Sequence, residues 1–140
     1  MGLIYAEQVE YMSVDEMQET HENEIAILNA IDKLATQCQI QKTPPDELEK
    51  KLNEYIEHVH AHFANEERLM KEYNFPSYEM HKMAHDMFLA DLAYATKQWK
   101  EHGNIIKIIN FVRKTPEWIV MHVNSVDAPT ADFIARKQEA

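Results

Sequence analysis

Between Leu52 and Met70 the apolar side chains Leu52, Ile56, Val59, Phe63 and Met70 return every three or four positions, and one glutamate, Glu66, falls inside the same stripe. That spacing is helical. Read alone, the alternation of His58, His60 and His62 suggests a strand, but Ala, Glu, Lys, Leu and Met dominate the stretch and Gly is absent. On a helix each residue turns the direction by about 100°. Glu66 therefore faces the interior, and His62, one turn earlier and roughly 40° away, reaches the same interior point. His60 points almost the opposite way, whereas His58 and Glu67 turn toward solvent. An ionised glutamate in a core is costly unless a cation or several donors compensate it. Any admissible fold must bring that partner to Glu66.

The chain of 140 residues, 45% hydrophobic and 27% charged, fits one globular domain over residues 1–140 and is not disordered. Twenty-four acids against fourteen bases give a formal net charge of -10, and the bases are scattered, which argues against a nucleic-acid partner. No apolar run approaches a membrane span, and the start lacks a basic region followed by a hydrophobic stretch. Ala6 stands where an acylated N-terminus requires Ser or Thr. Cys38, the single cysteine, cannot form an internal disulfide and reads as a half-buried spectator thiol, in keeping with a cytoplasmic location.

Residues 1–12 read as an irregular arm. The sequence SVDE at 13–16 fits a capping box of Ser13 and Glu16 that opens a helix to about Gln41. Its inner stripe holds Val14, Met17, His21, Ile25, Leu28 and Ala35. The prolines after Thr43 break the chain and begin a second helix, capped by Thr43 and ending near Asn74. A third long helix follows the FPS at 75–77 and closes at Gly103. NIIKIINFVRK at 104–114 predicts a short apolar helix, with Thr115 and Pro116 as cap and first residue of the last one. Pro129 interrupts or kinks the chain beyond. These elements define an all-α class, an antiparallel up-down four-helix bundle with an irregular N-terminal arm and a short extra helix before the last helix. The eight methionines read as core filler.

His81 and His85 lie four apart and share a helix face, a spacing that by itself is more often a surface coincidence than a metal site. His122 and Asp127 are five apart, which leaves them about 140° apart on a regular helix. They meet at one centre only if the turn widens into a π-bulge or if the site is wide enough for each to approach from its own side. With His21, His62 and Glu66 the candidates total five imidazoles and two carboxylates, from four helices. Such a set is too large for one tetrahedral ion and exceeds a closed structural zinc site, but suits two octahedral ions sharing carboxylates. Imidazole suits iron, zinc, copper and nickel. Glu57 and His60 make one ExxH pair, where ferritin-like di-iron bundles use two.

A first His, then HxxxE, then HxxxH beginning fifteen residues after that Glu, then HxxxxD, resembles the hemerythrin family, especially its single-domain bacterial members. The similarity runs through essentially the whole chain, and all seven positions match. It implies a non-haem centre of two iron ions, oxo- or hydroxo-bridged, that binds dioxygen reversibly for storage, delivery or scavenging and is not an enzyme. By position, the resemblance assigns His81, His85 and His122 to one iron, His21 and His62 to the other, and Glu66 and Asp127 to the bridge between them. It also implies an O2 pocket lined by Ile119 and Trp118, positions that plain core packing explains equally well. The segment VRKTPEW is longer and proline-broken where many bacterial relatives run straight into the Trp. Alternative functions are a di-iron catalyst or repair factor acting on peroxide or nitric oxide, and an O2 or redox sensor. The expectation that no cysteine-bearing segment or signalling domain is appended weakens the repair and sensor readings.

Overall fold

A computed structural model describes residues 15–41 and 46–139, the side chains of 15–21 and of 41 excepted. The arm at 1–12, the capping box of Ser13 and Glu16, the inward side chains of Val14, Met17 and His21, and the Thr43 cap lie outside the described residues. The helices are α1 (Asp15–Gln41), α2 (Asp46–Glu72), α3 (Tyr78–His102), α4 (Ile105–His122) and α5 (Ala128–Glu139), with a π-helical segment, Val123–Asp127, joining the last two. Each of α1–α4 packs against its neighbours in the order α1, α2, α3, α4 and back to α1, and α5 extends α4 alongside α2. The result is the expected four-helix bundle. None of the described helices is long and apolar enough to cross a membrane.

The turns follow from local chemistry. Beyond α2 the chain reverses through Asn74 at φ 55°, while the Phe75 N–H bonds to the Met70 carbonyl at 2.8 Å. Gly103 at φ 64° closes α3, and its N–H reaches the Trp99 carbonyl at 2.8 Å. A left-handed residue there lets otherwise unpaired end carbonyls find donors, and only glycine adopts it without strain.

Because successive helices run antiparallel, one end of the bundle collects the late part of α1, the early part of α2, the late part of α3 and the early part of α4. That end is apolar, with Leu28, Ile31, Leu52, Leu92 and Ile108 buried. The other end collects the start of α1, the end of α2, the start of α3 and the end of α4, and there the buried polar residues cluster. Burial of each large aliphatic side chain stabilises the fold by about 1.5–3 kcal/mol. The apolar end thus offsets the cost of the polar one.

Four expectations are corrected. The short extra helix does not exist as a separate element: residues 105–122 form one helix with Pro116 inside it. Ile108, Ile109, Val112, Thr115, Ile119 and His122 make a single buried stripe on both sides of the proline, and that tertiary burial outweighs its local cost of about 3 kcal/mol. The Thr115 hydroxyl, expected as a cap, instead donates to the Phe111 carbonyl at 2.7 Å. Pro129 likewise leaves the chain helical, sitting at the second position of α5 just past the π segment. The methionines are not uniformly core: Met80, Met83, Met87 and Met121 are exposed, and Met70 is buried.

Replacing Pro116 by Ala restores a donor to the Val112 carbonyl and is expected to raise the free energy of unfolding by about 1–3 kcal/mol in urea denaturation. A loss of stability would mean that the proline's geometry is built into the packing of α4.

Candidate metal centre

At the polar end, Glu66, His81, His85, His122 and Asp127 are all buried and each offers a ligand atom within 4.8 Å of the others. Glu66 is the hub. Its Oε2 lies 2.6 Å from His62 Nε2, while its Oε1 lies 3.0 Å from His85 Nε2 and 3.3 Å from His81 Nε2. The two oxygens of one carboxylate therefore face two different sets of imidazoles. On the far side, Asp127 Oδ1 sits 2.9 Å from His81 Nε2 and 3.0 Å from His122 Nε2.

His122 and Asp127 converge because the helix widens between them. The segment Val123–Asp127 is π-helical, and the Ala128 N–H reaches back five residues to the Val123 carbonyl. The widened turn brings Asp127 round to the face of His122, the first of the two ways in which residues at this spacing can converge. Aromatic rings wall the cluster: Phe63 stacks on His85 with centroids 3.8 Å apart, and Trp118 stacks on His122 at 4.3 Å.

Groups behind the imidazoles determine which nitrogen faces inward. The Thr130 hydroxyl spends its proton on the Val126 carbonyl at 2.8 Å, so at 2.9 Å it can only accept from His81 Nδ1–H. Glu67 is a carboxylate and likewise accepts, from His85 Nδ1–H at 3.0 Å. His81 and His85 thereby turn Nε2, and its lone pair, toward carboxylate oxygens 2.9–3.3 Å away. Lone pairs at such distances repel unless a proton or a cation lies between them. The Nε2 atoms of His81 and His122 are buried and make no aligned hydrogen bond, despite their short contacts with Asp127. Imidazole nitrogens and carboxylate oxygens crowding one point in this way fit a divalent transition metal.

In the absence of a metal, protons take its role. Burial alone pushes the His81 imidazole down, but the Asp127 and Glu66 carboxylates, which accept from Nε2 once it is protonated and add their charges, outweigh it and raise His81 to about 9. His62 is also lifted well above its ordinary value, against its burial, by Glu66 and by Glu24. Glu24 is a buried carboxylate on α1 whose Oε1 lies 3.5 Å from His62 Nδ1, and Tyr55 donates to its Oε2 at 3.1 Å. Burial first, then the charge and hydrogen bonding of Glu24, raise Tyr55 well above the usual phenol range, so it stays a donor.

Six of the seven residues singled out in the sequence thus meet at one end of the bundle, and the side chain of His21 lies outside the described residues. Ile119 is buried in the core, and Trp118 stacks on His122 and also lines a surface cavity of about 440 Å³. Glu67, expected to face solvent, is half-buried behind His85. Glu24, Tyr55 and Thr130 were not anticipated. Glu24 had a faint signal, three residues after His21 on the same helical stripe, but its partners lie too far along the chain to be paired from spacing.

A helical bundle with buried imidazoles and carboxylates gathered from three helices around one shared glutamate is a metal-binding bundle. The family model described as the hemerythrin HHE cation binding domain matches residues 12–128, and the chain belongs to the hemerythrin family. It is 30% identical over 116 residues to a bacteriohemerythrin of Aquifex aeolicus (strain VF5), covering 82% of this chain and 85% of the relative. A bacteriohemerythrin of Ralstonia nicotianae is 29% identical over 61% of this chain and 62% of its own. In fold it is similar to the crystal structure of a hemerythrin that carries a single leucine-to-alanine substitution, with a TM-score of 0.82, 22% identity, and 96% and 99% of the two chains covered.

The raised value of His81 sets a pH dependence. Its folded pKa of about 9 lies above the ordinary 6.5, so its contribution is fully present below about 6.5 and lost as pH rises through 9. In protein stripped of divalent ions, the urea midpoint is expected to fall between pH 6.5 and 9, by up to about 3 kcal/mol of stability. His81→Asn should flatten that decline, and an unchanged slope in the variant would contradict the assignment.

Proposed function

We propose that the protein is a non-haem di-iron protein that binds dioxygen reversibly, for storage, delivery or scavenging, and that residues 1–140 form a single domain of this kind. The observation that carries the reading is Glu66, whose Oε2 faces His62 and whose Oε1 faces His81 and His85. A carboxylate so placed could bridge two ions. His81, His85 and His122 would hold one, His62 and His21 the other, and Asp127 would be the second bridge. The names of the curated relatives support the same reading.

Each iron ion, when bound, supplies a one-electron couple, so the pair can lend two electrons to dioxygen and recover them. The chain's own residues set the conditions for this. Thr130 and Glu67 fix the tautomers of His81 and His85, so that neutral Nε2 atoms face the ions. Phe63 and Trp118 cover His85 and His122 and limit the entry of water. With five neutral imidazoles against two carboxylates, the proposed donor set would hold the ions without the excess negative charge that stabilises high-valent iron. That balance favours reversible capture over oxidation of a substrate.

Protein reconstituted anaerobically with ferrous iron should contain about two iron atoms per chain, gain a visible charge-transfer band in air, and lose it when oxygen is removed. Glu66→Ala should bind at most one ion and show no such band. Oxygen uptake that consumes reductant and does not reverse would contradict the carrier reading.

A further inference from the structure

The imidazoles of the centre differ in what stands behind them. His81 leans on the neutral hydroxyl of Thr130, and His85 on Glu67, whose side chain is 22% exposed and so partly screened by water. Behind His62 stands Glu24, on a different helix, with a side chain only 4% exposed. Glu24 is held in turn by Tyr55, itself almost fully buried, through a hydrogen bond of 3.1 Å. Tyr55 and His62 are seven residues apart on α2, two turns along one face, so both side chains project to α1 at neighbouring levels. A line of polar groups thus runs from Tyr55 through Glu24 and His62 to Oε2 of Glu66.

A buried carboxylate costs stability, and a neutral tyrosine hydroxyl brings no opposite charge to offset that cost. Its placement makes sense through the imidazole. With the Glu24 carboxylate 3.5 Å from Nδ1, a proton on His62 is favoured at that nitrogen, which leaves the Nε2 lone pair for the site, and the nearby full negative charge makes that lone pair more basic. The metal position next to His62 has fewer imidazoles than the position formed by His81, His85 and His122. An unscreened negative charge behind one of its few ligands is what such a position needs to hold a divalent ion.

We infer that Glu24, anchored by Tyr55, is a positioning residue that orients His62 and supplies the buried negative charge on which occupancy of the second metal position depends. This rests on the two-metal reading of the site. It assigns the two positions unequal dependence on their surroundings: one is sustained by its number of imidazoles, the other by a carboxylate behind its imidazole.

The test is calorimetric and spectroscopic titration of chelator-stripped protein with cobalt(II) chloride, for wild type, Glu24→Gln and Tyr55→Phe. Wild type should take up two ions. Glu24→Gln keeps the shape and an acceptor but removes the charge, and should weaken one of the two ions by about 10–100-fold while leaving the other unchanged. Tyr55→Phe should weaken the same ion by a smaller factor, and it decides the matter if Glu24→Gln does not fold. Stripped Glu24→Gln should still unfold cooperatively but at a lower urea concentration than wild type, since the metal-free His62 loses one of the carboxylates that hold its proton. Unchanged binding of both ions, or an equal weakening of both, overturns the inference and leaves the two-metal reading standing. A wild type that binds fewer than two ions overturns both.

Discussion

A carboxylate buried at 1% exposure, with imidazole nitrogens on both of its oxygens, is the constraint around which the rest of the molecule is organised. Glu66 can occupy that place only if positive charge is supplied close by, as protons or as metal ions. The up-down topology supplies the means. It brings the end of α2, the start of α3 and the end of α4 to one level, so that His62, His81, His85 and His122 arrive around Glu66 from three helices. The π segment then adds Asp127, which a regular helix would have turned away.

The division of the bundle into a polar and an apolar end follows from the same constraint. Carboxylates and imidazoles packed together contribute little stability of their own until a cation joins them. The fold therefore depends on the other end, where Leu28, Ile31, Leu52 and Ile108 are fully buried. The partners behind the cluster, Thr130, Glu67 and Glu24, are divided among three helices. Thr130 and Glu67 each accept a hydrogen bond from the outer nitrogen of a ring and turn its other nitrogen inward, while Glu24 sets a buried negative charge 3.5 Å from His62 Nδ1.

Much of this was legible in the sequence because it is written in local periodicity. The 3.6-residue repeat placed His62 and Glu66 on one inner face, and the awkward five-residue spacing of His122 and Asp127 left either a widened turn or a wide site, of which the structure contains the widened turn. The family resemblance supplied the seven candidate positions, six of which the described residues bring together. What local reading missed has a common cause, tertiary contact. Pro116 looked like a helix start because its cost is local, whereas the burial that overrides it comes from α1 and α3. Glu67 does turn away from the α2 stripe, but α3 brings His85 to meet it. Tyr55 and Glu24 are 31 residues apart and carry no shared signature in spacing. The exposed Met80, Met83 and Met87 show the converse: helical spacing of apolar residues does not establish that a neighbour covers them.

The most direct measurement is anomalous diffraction at the iron edge from crystals of the reconstituted protein. A two-metal centre predicts two separate anomalous peaks within the polar end of the bundle, with one oxygen of Glu66 directed at each and His62 beside the peak that lacks His85. A single peak, or two peaks of which neither is within ligand distance of Glu66, would contradict it.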